Sequence, residues 1–200
     1  MQDRNFIIMR LISRIDIVLI LVLSYSVSEA QVGIGAGGGL YYPGLTESNV
    51  FKSRFGTGAG YQLFARHRLI SISDIVDLHA RYSYQNYFSD IDLPFTRKTR
   101  FTFDYLCISV FIEMLELHQL NVTGGAGIAL VSVTASKDFL LVTETVLVPQ
   151  ILIGLEKELG TDFNIYSDFI MQFGSVRVRQ DILSITGFKA IIGFTMFISK

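Results

Sequence analysis

Residues 75–88 alternate with a period of two. Val76, Leu78, Ala80, Tyr82, Tyr84 and Phe88 fall on one side, Asp77, His79, Arg81, Ser83 and Gln85 on the other. Such a segment is a β-strand lying between two different environments. In a soluble sheet the apolar side meets a protein core. In a membrane barrel it meets lipid, and the polar side lines the interior.

The start of the chain favours the second environment. Arg4, Arg10 and Arg14 precede an apolar run at 17–23, and small residues surround Ser28-Glu29-Ala30, the pattern of a secretory signal peptide. The run is far short of the ~20 residues of a membrane-spanning helix. Cleavage after Ala30 makes residues 1–30 the signal peptide and 31–200 one β-barrel domain, with Met1 or Met9 as the start. The signal removes three bases and three acids, so the exported part keeps the formal net charge of −1. That balance gives no reason to expect a nucleic-acid partner. Cys107 is the only cysteine, which excludes an intramolecular disulfide.

Half the residues are hydrophobic and the mean hydropathy is +0.43. Even so, Glu113 interrupts the run 105–117, and Glu144, Pro149 and Gln150 interrupt 139–155. High hydrophobicity spread over alternating segments is the signature of lipid-facing strands. Eight segments follow from the alternation: 32–42, 57–67, 75–88, 100–112, 117–134, 139–156, 162–174 and 183–199. The expected fold is all-β, an eight-stranded antiparallel transmembrane up-and-down barrel. Connections 43–56, 89–99, 135–138 and 175–182 fall on the outer side, and 68–74, 113–116 and 157–161 on the periplasmic side.

Inward positions include Gly33, Gly35, Gly37 and Gly39, whose missing side chains leave room in a narrow interior. In the fourth segment Phe101, Phe103 and Tyr105 read as outward and Thr102 and Asp104 as inward. The apolar phase then passes to Leu106, Ile108, Val110 and Ile112, which calls for a bulge near Tyr105. Pro149 calls for another irregularity. Tyr41, Tyr42, Tyr82, Tyr84, Tyr87, Phe88, Phe101 and Phe103 lie near strand ends, where rings form girdles at the membrane surface.

The inward charged positions make up an expected polar network of Arg66, Asp77, His79, Arg81, Asp104, Glu144, Glu156, Asp168 and Lys189. Enclosed charges persist by pairing, so the network is expected to plug the barrel. A narrow solute or proton path with His79 between Asp77 and Arg81 is a second reading. Asp77, His79 and Ser83 are ~6.5–7 Å apart in steps of two along one strand, too far for a hydrogen-bonded triad within it. No catalytic residue, metal site or cofactor is expected. A lipid-modifying barrel enzyme and a soluble periplasmic barrel holding a hydrophobic ligand are the alternatives from other classes. Arg97, Lys98 and Arg100 form a basic rim suited to lipopolysaccharide headgroups.

The stretch Tyr105-Leu106-Cys107-Ile108-Ser109-Val110-Phe111-Ile112 resembles the tyrosine-leucine-x-isoleucine-proline-hydrophobic strand of the PorT-type outer-membrane β-barrel domain family, one of the small porin-like, OmpA-like barrels. Residues 123–130 and 182–200 resemble later strands of that family. Ser109 stands where the family has proline, and the chain ends Ile-Ser-Lys rather than on an aromatic residue, with Phe197 close by. The resemblance implies an outer-membrane location in a bacterial envelope. It also implies contact with outer-membrane lipid and the barrel assembly machinery and, for some relatives, with secretion components. A monomer acting through its outer loops is the expected form.

Amino-terminal sequencing of the exported protein is expected to begin at Gln31. A mature chain that retains Arg14 would reject the assigned signal.

Overall fold

The computed structural model describes residues 32–43, 57–91, 99–114, 120–137, 140–178 and 181–198. The signal segment, Arg97 and Lys98 lie outside the described residues. The described residues form ten strands: β1 (Val32–Pro43), β2 (Gly58–Ser73), β3 (Val76–Ile91), β4 (Thr99–Met114), β5 (Leu120–Lys137), β6 (Leu140–Glu158), β7 (Phe163–Gln172), β8 (Ser175–Val178), β9 (Asp181–Ser184) and β10 (Gly187–Ile198). Eight of them close into an antiparallel barrel in the order β1-β2-β3-β4-β5-β6-β7-β10, and β8 and β9 form a separate hairpin. The ring closes between its first and last strands, from Val32↔Ile198 to Pro43↔Gly187. Closure gives each strand two neighbours and removes the open edge along the ring's common height.

The two-residue period sets the faces. Gln62, Arg66, His79, Arg81, Ser83 and Gln85 are buried inside, while Ile34, Leu63, Ile108, Ile128, Phe169 and Phe194 stand exposed around the outside. Leu78 and Tyr82 alternate with buried His79 and Arg81 and take the outward face. This inside-polar, outside-apolar sense opposes that of a soluble ligand-binding barrel.

β4 departs from expectation. It pairs with β3 and β5 without a register shift. Phe101, Phe103 and Tyr105 point inward and are buried, which leaves Thr102 and Asp104 on the outer face. No bulge occurs near Tyr105: the strand keeps one phase while its outer surroundings change. Tyr41 and Tyr87 are likewise enclosed, so four of the rings assigned to girdles belong to the core instead. Tyr42 and Phe88 do lie outward; Tyr42 stacks on Phe188 with centroids 4.7 Å apart.

Pro149 causes no register break either, pairing with Ile128 in an uninterrupted β5–β6 ladder. Its carbonyl accepts a hydrogen bond from the Phe173 N–H at 3.1 Å, just past the end of β7. In an antiparallel strand the N–H and C=O of one residue point to the same side. The N–H that proline lacks therefore falls where β6–β7 pairing stops, at Gln150↔Gln172.

Glycine and aromatic positions complement one another between neighbouring strands, Gly35 opposite Phe64 and Gly193 opposite Tyr166. A Cβ on Gly35 would collide with the Phe64 ring, and one on Gly193 would come within 2.7 Å of the Tyr166 ring. Phe64 and Tyr166 fill that space and meet edge-on at 5.2 Å.

Truncating one inward ring at the loop end tests this packing. Phe103→Ala is expected to cost about 3–5 kcal/mol in urea unfolding of the refolded barrel, more than Leu106→Ala on the outer face. Equal losses would contradict the inward assignment of Phe103.

Candidate functional site

The interior has two chemically distinct halves. Toward the chain termini it is ionic. The Arg66 guanidinium makes a bidentate pair with Glu156, Nη1 to Oε2 at 2.5 Å and Nη2 to Oε1 at 2.7 Å. Asn164 Nδ2 donates to the same carboxylate at 2.8 Å. Glu113 lies 3.8 Å from Arg66 Nη1, accepts from Asn121 Nδ2 at 2.8 Å and faces His79 Nε2 at 3.2 Å. One turn of the wall higher, Arg81 Nη1 donates to Asp168 Oδ2 at 2.5 Å. The Arg81 guanidinium lies between the Phe64 and Phe111 rings, 4.7 and 4.8 Å from their centroids. Planar guanidinium groups suit this combination of forked pairing and ring stacking.

Toward the loops the interior is aromatic and aliphatic: Tyr41, Tyr87, Phe101, Phe103, Tyr105, Val131, Val133, Val148 and Ile191 pack with Val176 and Ile185 from the β7–β10 connection. Gln172 Nε2 donates to the Ile185 carbonyl at 2.6 Å and to Tyr41 Oη at 2.9 Å. Tyr41 Oη donates to the same carbonyl at 2.8 Å. This fastens the connection carrying β8 and β9 into the mouth of the ring.

Between the halves, Lys189 Nζ donates to Gln85 Oε1 at 2.7 Å and sits 3.2 Å from the Tyr105 ring centroid. Gln85 Nε2 donates to Gln62 Oε1 at 2.8 Å. A cavity with room for about one water is lined here by Arg81, Gln62, Gln85, Gln150, Leu152 and Ile170. Buried Cys107 also borders it.

Of the nine charged positions expected inside, Arg66, His79, Arg81, Glu156, Asp168 and Lys189 are enclosed. Asp77 lies at the termini end, accepting from Ser71 Oγ at 2.6 Å and facing Arg68 at 3.5 Å. Asp104 is a correction. It lies on the outer face, where its Oδ1 accepts from Tyr84 Oη at 2.6 Å and Asn86 Nδ2 at 2.8 Å. Glu144 is a second correction: it is exposed, on a part of β6 that rises past the end of β7. The proposed position of His79 between Asp77 and Arg81 gives way to contact with Glu113 and stacking on Phe111 at 5.1 Å. Asp77, His79 and Ser83 make no hydrogen bonds to one another among the described residues.

Sequence reading missed Glu113 because it was placed in a turn. The signal was its even spacing from Ser109 and Phe111, which carries the inward face two residues further. Among the described residues no group of three or more His, Cys, Asp and Glu side chains is placed to hold a metal ion. Arg100 lies 5.7 Å from the Phe88 ring centroid at the loop end.

Solved structures share this architecture. Neisserial surface protein A (NspA) superposes with a TM-score of 0.59 at 13% identity, over 84% of this chain and 97% of that one. The outer membrane protein OprG from Pseudomonas aeruginosa superposes with a TM-score of 0.53 at 11% identity, over 86% of this chain and 97% of that one. At these identities the likeness establishes a common fold, that of small outer-membrane barrels. No family model matches the chain, and no curated protein matches it.

The Arg81–Asp168 pair can be tested as a unit. Asp168→Leu alone, which strands a buried guanidinium, is expected to lower stability by about 3–5 kcal/mol, and adding Arg81→Met to recover most of that loss. Urea unfolding in lipid vesicles measures both; additive losses would show that the two side chains act independently.

Proposed function

We propose that the protein is an integral barrel of a bacterial outer membrane, sealed to solutes, that acts as a structural or interaction protein through its loop end. The observation that carries this reading is the pairing of a continuous apolar outer belt with a filled interior. Along β6 the belt runs from Leu147 to Leu155, about eight steps of ~3.3 Å. At a tilt of ~40° this gives about 20 Å of height, close to the roughly 25 Å apolar band of such barrels. Tyr61, Phe88, Phe169 and Phe173 lie outward on the loop side, and rings there suit a girdle in the headgroup layer.

Inside, the ion pairs occupy one half and the aromatic cluster the other, so neither half offers a wetted path. This favours the plug over the solute or proton path. Orientation follows from the loops: the chain termini face the periplasm and the β8–β9 hairpin faces outward. The 105–112 strand supports a PorT-type kinship, and Arg100 at the loop end supports contact with lipopolysaccharide headgroups. Folding into the membrane would use the barrel assembly machinery.

Cell fractionation followed by gel electrophoresis with and without boiling tests the reading. A heat-dependent mobility shift in the outer-membrane fraction is expected, and a freely soluble protein rejects it. In planar bilayers the purified barrel is expected to give no discrete conductance steps. Regular steps would refute the seal.

A further inference from the structure

Small residues face inward on one patch of the wall. Ser83 pairs with Cys107 across β3 and β4, and Ser109 pairs with Gly127 across β4 and β5. Their short side chains leave the space, with room for about one water, that Gln62, Arg81, Leu152 and Ile170 also line.

Hydrogen-bond direction decides which atoms meet this space. A lysine ammonium has donors only. Lys189, 0% exposed, donates to Gln85 Oε1 at 2.7 Å, so the Gln85 amide turns its nitrogen the other way. That nitrogen donates to Gln62 Oε1 at 2.8 Å. The chain therefore runs in one sense and leaves Gln62 Nε2 as its last donor. Arg81 reaches the same outcome from another direction. Its Nη1 serves Asp168 and its faces are covered by the Phe64 and Phe111 rings, which leaves Nε. Gln62 is 0% and Arg81 1% exposed, and neither Gln62 Nε2 nor Arg81 Nε has a hydrogen-bond acceptor among the described residues.

Two enclosed donors, one of them cationic, call for an acceptor between them. We propose that this space is a binding site for one internal water molecule, held by Gln62 Nε2 and Arg81 Nε. A water accepts from both donors. Its own hydrogens meet the hydroxyl oxygens of Ser83 and Ser109, each of which has lone pairs to offer. It also adds no charge. The enclosed Arg66, Arg81 and Lys189 are already matched in number by Glu113, Glu156 and Asp168, so a halide in the same place would leave the interior with an unpaired negative charge. A space bounded by Leu152 and Ile170 alone would stay dry, whereas one with polar groups on several sides holds solvent.

The water supplies the joint between the two halves of the interior. Hydrogen bonds then run without a break from Lys189 through Gln85, Gln62 and the water to Arg81 and Asp168. A single molecule is a joint and not a file, which agrees with a sealed barrel.

The test is a crystal structure of the refolded barrel, grown with sodium bromide and at a resolution that shows ordered solvent. One solvent peak is expected within ~3.2 Å of both Gln62 Nε2 and Arg81 Nε, without anomalous signal at the bromine edge. Absence of a peak overturns the proposal, and an anomalous peak overturns it in favour of a halide. Gln62→Met keeps the length of the side chain but removes the donor. This variant is expected to lose most of the peak's height while keeping the heat-dependent mobility shift; an undiminished peak also overturns the proposal. If the variant does not fold, NMR of the perdeuterated wild-type barrel in micelles decides. The Gln62 side-chain N–H protons are expected to show cross-relaxation with water, and its absence rejects the site.

Discussion

Closing eight strands into one ring leaves a cylinder only wide enough for side chains, and every inward residue must fit into it. This restriction governs the rest of the structure. It demands glycine at positions such as 35 and 193, where the rings of Phe64 and Tyr166 lie over the neighbouring strand. It also forces Arg66, Arg81, Glu156 and Asp168 into contact with partners from distant strands, because enclosed charges have no water to turn to. Pairs separated by 90 and 87 residues thereby brace opposite parts of the wall.

The sequence was most legible where the barrel's two environments differ most. In β2 as far as His67, and in β3, β7 and β10, lipid outside and ionic groups inside give opposite hydropathy to adjacent residues, so a period of two assigns the faces; beyond Arg68 the β2–β3 ladder shifts register and β2 is exposed throughout. β4 shows why the same reasoning fails higher up. Around Phe101 and Phe103 the inside is apolar and the outside is water, so the sense of the alternation reverses along a strand whose geometry is unchanged. Hydropathy reports which neighbour a side chain prefers, and a change of neighbour can be mistaken for a change of direction. Asp104 was misplaced for this reason, and Tyr41 and Tyr87 were taken for girdle residues. Glu144 has the inward phase, but the wall beside it is incomplete, which no local pattern encodes.

The interior network was only partly legible. Its charged members announce themselves, but their partners do not, since a pairing such as Arg66 with Glu156 depends on strand stagger around the ring. The amides of Gln62, Gln85 and Gln172 carry no charge and join the two halves without a distinct spacing. The fastening of Ile185 by Gln172 and Tyr41 uses a backbone carbonyl, a group that every residue possesses.

The seam between β1 and β10 joins the first and last strands of the ring, with Val32 opposite Ile198. Contacts of such sequence separation form slowly, because the chain must give up the entropy of a very long loop before any seam hydrogen bond forms. Until that moment β1 and β10 both present bare edges, and the nascent polypeptide is open to misassociation. Registration of the two terminal strands is thus the pairing with the longest loop to close, and the one that removes both bare edges at once.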